Sequence, residues 1–217
     1  MMTRNKIDWG LYFVTDPNLL LNQSLEDTVL QAVKGGAMMV QLREKDCNTF
    51  EFYNKAKKLK ELLAPFGVPL IINDRIDIAL AVDADGVHIG QKDMPWNVAR
   101  ELLGRNKIIG ISVESVAQAR QANAFDVDYI GVSPVFSTNT KDDISAPLEL
   151  DGLKTIRAIS RHPIVGIGGI NNYNVEDVIA YGADSVAIIT AISMAENPCR
   201  SAKEISTQIK NAKIKQT

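Results

Sequence analysis

The sequence predicts an α/β protein that closes into a single (β/α)8 barrel. Three observations lead there. Eight short apolar runs recur along the 217 residues, each followed by a segment of helical periodicity. Strict alternation of that kind implies parallel strands joined by right-handed crossovers, and eight such units close naturally into a barrel. No GxGxxG follows the first run, so the dinucleotide fingerprint of a doubly wound open sheet is absent. No linker or low-complexity tract divides the chain. Residues 1–217 are therefore expected to form one domain, with a tail, NAKIKQT from about 211, that frays.

The runs are LYFVTD (Leu11 to Asp16), MMVQLRE from Met38, PLIIND from Pro69, DGVHIG from Asp85, KIIGIS from Lys107, DYIGVSP from Asp128, PIVGIGGI from Pro163 and DSVAIIT from Asp184. They are too short for helices and apolar on both faces, as parallel strands covered on both sides are. Between the second and third runs, Phe52, Ala56, Leu59, Leu63 and Phe66 step by four and three residues. That spacing makes one apolar helical stripe, with lysines opposite. Ser24 with Asp27 reads as a helix start related to the capping box. Gly35-Gly36 and Gly182 fall where helices end, and Asn197-Pro198 offers a cap and a first-turn proline for the last helix.

Hydrophobic residues make up 46% and charged residues 23%, the balance of a soluble globular protein. A net charge of -2 argues against a broad basic surface for nucleic acid. It leaves room for a small anion in a local basic pocket. Cys47 and Cys199 lie far apart without metal-ligand spacing, which points to a reducing, cytoplasmic setting. The start, MMTRNKIDWG, lacks a signal-peptide core, and no apolar run approaches the roughly 18 residues of a membrane span. Small molecules are the expected partners, not nucleic acid or membrane. The oligomeric state, a homo-oligomer included, stays open.

In a barrel the chemistry sits at the carboxyl ends of the strands. Those ends are unusually polar here: Arg43-Glu44-Lys45, Asn73-Asp74-Arg75, His88 with Gln91 and Asp93, Ser112, Thr138-Asn139-Thr140-Lys141, Gly168-Gly169 and Thr190. Asp74 and Asp93 follow adjacent strands and suit Mg²⁺, a hard cation that takes oxygen ligands and shares them with phosphates. Helix capping accounts equally well for either aspartate alone. Arg43, Lys45 and Lys141 face the same mouth, and three cations beside a metal suit a diphosphate. The glycines of VGIGGI with Ile189 and Thr190 match the phosphate site common at the seventh and eighth strands, although tight turns also need glycine. His88 alternates with Val87 and Ile89, so it either points inward and titrates or is a hydrogen-bonded structural histidine. It has no Ser or Cys nucleophile beside it in sequence. Two anion sites, one metal and no nucleophile imply catalysis by positioning and electrostatic stabilisation.

QLREK (41–45), NDR (73–75), DGVHIGQKD (85–93), TNTK (138–141), GIGGI (166–170) and SVAIITAI (185–192) occur in order across nearly the whole barrel. Their combination closely resembles the thiamine-phosphate synthase family. The resemblance implies a transferase. A hydroxymethylpyrimidine diphosphate loses pyrophosphate through a pyrimidine carbocation, and a thiazole phosphate captures it to give thiamine phosphate. It assigns the pyrimidine diphosphate to Gln41, Leu42, Arg43, Glu44, Lys45, Asn73, Ser112 and Lys141. Among these, Arg43, Lys45, Ser112 and Lys141 carry catalysis. It assigns the thiazole phosphate to Thr138, Asn139, Thr140, Gly169, Ile189 and Thr190, and Mg²⁺ to Asp74 and Asp93. The family's frequent Pro before Thr-x-Thr and Ser after strand eight are Ser137 and Thr190 here, which puts loop stiffness and phosphate affinity in question. Two alternatives on the same barrel are a thiazole tautomerase, which does not join two substrates, and a non-catalytic sensor of phosphorylated ligands.

Overall fold

The computed structural model describes residues 7–21, 23–138 and 146–216. Strands β1 (Leu11–Val14), β2 (Ala37–Leu42), β3 (Leu70–Asn73), β4 (Gly86–Ile89), β5 (Ile108–Val113), β6 (Tyr129–Val132), β7 (Ile164–Ile167) and β8 (Ser185–Ile188) follow one another around a closed parallel sheet. Closure is made by β1 on β8, with Leu11 opposite Val186 and Phe13 opposite Ile188. Helices α1 (Leu25–Lys34), α2 (Thr49–Leu63), α3 (Ile76–Ala81), α4 (Trp96–Leu103), α5 (Val116–Ala122), α6 (Glu149–Ile159), α7 (Val175–Ala180), α8 (Thr190–Ser193) and α9 (Pro198–Ile214) wrap it. This is the expected single (β/α)8 TIM barrel. No helix among the described residues is long and apolar enough to cross a membrane.

Alternation along each strand separates two cores. Leu11, Phe13, Val40, Leu42, Ile72, Val87, Ile109 and Ile130 face outward and pack with the helices. Tyr12, Val14, Met39, Ile71, Ile108, Tyr129, Val165 and Ala187 fill the barrel interior. One step further toward the mouth, the same inward parity brings Gln41, Asn73, His88 and Ser112 into the barrel cavity. The strands are thus apolar on the helix side throughout, and apolar on the inside only over their lower part.

The helix signals behave as their chemistry requires. The Ser24 hydroxyl accepts from the Asp27 amide at 3.0 Å and donates to the Asp27 carboxylate at 2.7 Å. Asn48 and Asn197 cap α2 and α9 by accepting from the Glu51 and Arg200 amides at 3.0 and 2.9 Å. Phe52, Ala56, Leu59 and Leu63 form the buried stripe of α2. Phe66 departs from it, because the helix tightens to a 3-10 turn at Ala64–Phe66 and leaves that ring half exposed. The tail expected to fray from about 211 is instead helical to Ile214, since Ala212 continues the buried stripe of Ala202, Ile205 and Ile209.

At the amino-terminal end of the barrel one arrangement recurs three times. Asp85, Asp128 and Asp184 each stand just before an even-numbered strand. Each turns one carboxylate oxygen onto the amide that opens the preceding strand region: Leu70 at 2.8 Å, Ile109 at 2.8 Å and Ile164 at 2.7 Å. The same oxygen takes a cation from the helix before that strand: Lys60 at 2.8 Å, Arg100 at 2.8 Å and Arg157 at 3.0 Å. Each clamp ties two strands and a helix through a charge-assisted bond. The middle one is the most buried, with the Arg100 and Asp128 side chains 9% and 4% exposed. Arg100 also donates to the carbonyls of Gly104, Lys107 and Asp126. Arg100→Ala leaves that carboxylate buried without its cation, and urea denaturation is expected to show a loss of about 3–5 kcal/mol. Lys60→Ala, at a more exposed clamp, is expected to cost under about 1.5 kcal/mol in the same measurement.

Candidate active site

The barrel cavity is lined by Tyr12, Gln41, Arg43, Asn73, His88, Ser112, Tyr129 and Ile189, with apolar strand residues beneath. It brings together side chains from seven strands or strand ends that lie up to 177 positions apart, as Tyr12 and Ile189 do. Gln41, Asn73 and Ser112 are almost wholly buried polar residues. Arg43 is held from β1. Its Nη1 donates to the Asp16 carboxylate at 2.8 Å, and its amide donates to the Thr15 hydroxyl at 3.1 Å. Asp16 meets the same strand-end test that picks out the other site residues, but its sequence position at the close of an apolar run hides its partner on β2.

Asp74 follows β3 with φ of +62°, in the left-handed region that asparagine and aspartate tolerate best. Its amide donates to the His88 carbonyl at 2.8 Å, so pairing with β4 extends into this residue and holds the turn. One oxygen of its carboxylate accepts from Lys45 Nζ at 2.5 Å and from Asn73 Nδ2 at 2.7 Å. Asp93 is drawn in by the Gly90 amide, which donates to its carboxylate at 2.7 Å. Burial pushes the Asp74 carboxyl above its ordinary range. Lys45 opposes that shift, and the neighbouring Asp93 carboxyl, within hydrogen-bonding reach, adds to it. Two like charges held this close, with hard oxygen donors, fit Mg²⁺. Among the described residues no cluster of three or more His, Cys, Asp or Glu could hold a metal by itself. A two-carboxylate site suits Mg²⁺, which keeps waters and takes substrate phosphates as its remaining ligands.

Leu42 and Glu44 are not brought to this cavity. Both have outward parity: Leu42 lies in the helix-facing core. The Glu44 carboxylate is buried and paired with Lys55 of α2 at 2.9 Å. The QLREK run thus alternates between mouth and helix layer, and only Gln41, Arg43 and Lys45 point toward the mouth. Burial, and next the Glu44 carboxylate, push the Cys47 thiol up, so this cysteine is not an activated nucleophile.

A second cleft opens beside the first. Thr138, Gly169 and Thr190 line it with Ser137, Ile170, Asn171 and Ala191. Gly169 has φ of +64°, and a Cβ there would lie 2.7 Å from the Ser137 carbonyl and 2.8 Å from Phe136 Cβ. Only glycine allows the segment after β6 to lie against the turn after β7, which brings Thr138 to the same cleft as Thr190. Thr190 opens α8 rather than ending β8. Asn139, Thr140 and Lys141 lie outside the described residues.

The histidines divide. His162 Nε2 donates to the Ala122 carbonyl at 2.8 Å, a structural role. His88 points inward, with Nδ1 3.0 Å from the Tyr129 hydroxyl and Nε2 2.9 Å from the Ser112 hydroxyl. Tyr12 and Tyr129 were not among the expected site residues. Their signal was present, a phenol at inward parity in β1 and in β6, but a tyrosine in an apolar run reads first as core.

Comparison with known proteins agrees with this geometry. The family described as thiamine monophosphate synthase matches residues 11–192, from the start of β1 into α8. A thiamine-phosphate synthase of Chloroflexus aurantiacus is 47% identical over 199 residues, covering 92% of each chain. One of Syntrophomonas wolfei is 51% identical over 185 residues, covering 85% of this chain and 88% of its own. Among solved structures, the thiamine phosphate pyrophosphorylase of Pyrococcus furiosus superposes with a TM-score of 0.87 at 36% identity, covering 95% of this chain and 98% of the other. A closed barrel with two polar clefts at its mouth and relatives near half identical along almost its whole length place the chain in the thiamine monophosphate synthase family.

Proposed function

We propose that the mouth joins 4-amino-2-methyl-5-hydroxymethylpyrimidine diphosphate to 4-methyl-5-(2-phosphooxyethyl)thiazole, giving thiamine phosphate and pyrophosphate. The observation that carries this reading is the division of the mouth. Carboxylates and cations from β2, β3 and β4 gather on one side, and hydroxyls with an open glycine turn gather at β6 to β8. The bond between the pyrimidine methylene and the diphosphate oxygen breaks, and its electron pair leaves with the diphosphate. The thiazole nitrogen then gives its lone pair to the methylene carbon. This chain supplies charge where charge develops: Arg43 and Lys45 from the strand-two end, the Ser112 hydroxyl from β5, and Lys141 from the TNTK segment. Asp74 and Asp93 would hold Mg²⁺, which neutralises the departing diphosphate when bound. Thr138, Thr140, Gly169 and Thr190 receive the thiazole phosphate, with Asn139 and Ile189 beside them. The deep, largely apolar barrel interior excludes water from the methylene carbon, which water would otherwise capture.

A discontinuous assay with both substrates and Mg²⁺ is expected to yield thiamine phosphate. No product, with tight binding of thiazole phosphate retained, would identify a sensor instead. In the ligand-free state Lys45 already occupies the Asp74 oxygen that a metal needs. Calorimetry is therefore expected to find that Mg²⁺ alone binds weakly and that pyrophosphate, by drawing Lys45 away, tightens it. In Lys45→Met the metal alone should bind at least about tenfold tighter than in the unsubstituted protein, while turnover falls. For Thr190→Val, loss of one hydrogen bond to a charged group should weaken thiazole phosphate about tenfold or more and leave magnesium pyrophosphate affinity unchanged. Equal losses for both ligands would overturn the two-cleft assignment.

A further inference from the structure

A single file of hydrogen bonds crosses the barrel interior beneath the mouth. Gln41 Nε2 lies 2.7 Å from the Tyr12 hydroxyl, and that hydroxyl lies 3.0 Å from the Tyr129 hydroxyl. The Tyr129 hydroxyl lies 3.0 Å from His88 Nδ1, and His88 Nε2 lies 2.9 Å from the Ser112 hydroxyl. The five residues come from β2, β1, β6, β4 and β5. Two glycines make room for them. A Cβ on Gly110 would lie 2.0 Å from Tyr129 Cζ, and one on Gly131 would lie 2.9 Å from His88 Cε1.

Proton counting gives the file a direction. An amide nitrogen only donates. Burial pushes both phenols well above their ordinary range, so each keeps one proton to give. Tyr12 accepts from Gln41, and its own proton goes to Tyr129. The Tyr129 proton then goes to His88 Nδ1. With Nδ1 accepting, the imidazole carries its proton on Nε2 and donates it to Ser112. Ser112 accepts there, so its own proton is left to point into the mouth.

We infer that Tyr12, Tyr129 and His88 are positioning residues: they transmit the donor sense of the Gln41 amide across the barrel and set Ser112 as a hydrogen-bond donor to the diphosphate. The last link rests on the diphosphate assignment made above; the direction of the file does not. An acceptor at the Gln41 position would reverse every bond. Ser112 would then spend its proton on His88 and offer only lone pairs to an anion.

The chain has two histidines, so its imidazole nitrogens give a simple long-range ¹H–¹⁵N spectrum. His162, which donates Nε2–H to a carbonyl, is an internal reference. In the ligand-free protein His88 is expected in the Nε2–H form. Gln41→Glu is expected to convert it to the Nδ1–H form. Tyr129→Phe, nearly isosteric, is expected to leave a mixture of the two. His88 in the Nδ1–H form without substitution, or a tautomer unmoved by either variant, would overturn the direction of the file. Ser112→Ala is expected to weaken magnesium pyrophosphate about tenfold. If it does not while the tautomers behave as stated, the direction stands and the diphosphate end of the inference is overturned.

Discussion

The constraint on which the structure depends is alternation in a closed sheet. Once eight parallel strands close, each residue must face either the helices or the barrel interior, and a one-residue slip exchanges the two. The outward set is almost uniformly aliphatic because it packs against helices all the way around. The inward set changes character with height, apolar below and polar at the mouth. Polarity in the barrel cavity is a matter of level: its polar strand residues are those both inward and near the carboxyl end. Leu42 and Glu44 meet the second condition and fail the first.

The two ends of the barrel use charge differently. At the amino-terminal end, each aspartate clamp has an amide and a cation that satisfy it within the protein. Those charges are fully committed and serve to tie strands to helices. At the mouth, charges are paired provisionally. Arg43 rests on Asp16 and Lys45 on Asp74, while the Asp74 carboxylate shares its surroundings with Asp93. Pairs of this kind keep a polar, partly buried cavity from carrying naked charge. Both cations remain partly accessible to solvent, unlike the Arg100 guanidinium of the most buried clamp.

Backbone geometry at the mouth follows the same logic. Asp74 stands in the left-handed region, an arrangement that costs of order 1–3 kcal/mol and lasts only where surroundings over-determine it. Here the amide bond to β4 and the Asn73 side chain do so. Gly169 reaches a similar region without strain and lets two loops touch. Buried hydroxyls linked end to end add direction to this framework, since a file of donors and acceptors has only two self-consistent orientations.

The sequence by itself determined the strand and helix order, the barrel, the caps at Ser24 and Asn197, and the polar strand ends, because these depend on local periodicity and nearest neighbours. Its motifs were also enough to indicate the family. Tertiary structure decided what local pattern cannot encode. The α2 stripe stops short of Phe66 because the chain tightens there, and α9 runs through Ala212 because the barrel offers it a surface. Arg43 finds Asp16, Lys45 finds Asp74 and His88 lies between Tyr129 and Ser112. Each of those contacts joins different strands, so only pairing of the strands in the sheet brings the partners within bonding distance, and the Tyr12–Tyr129 contact needs the barrel closed as well.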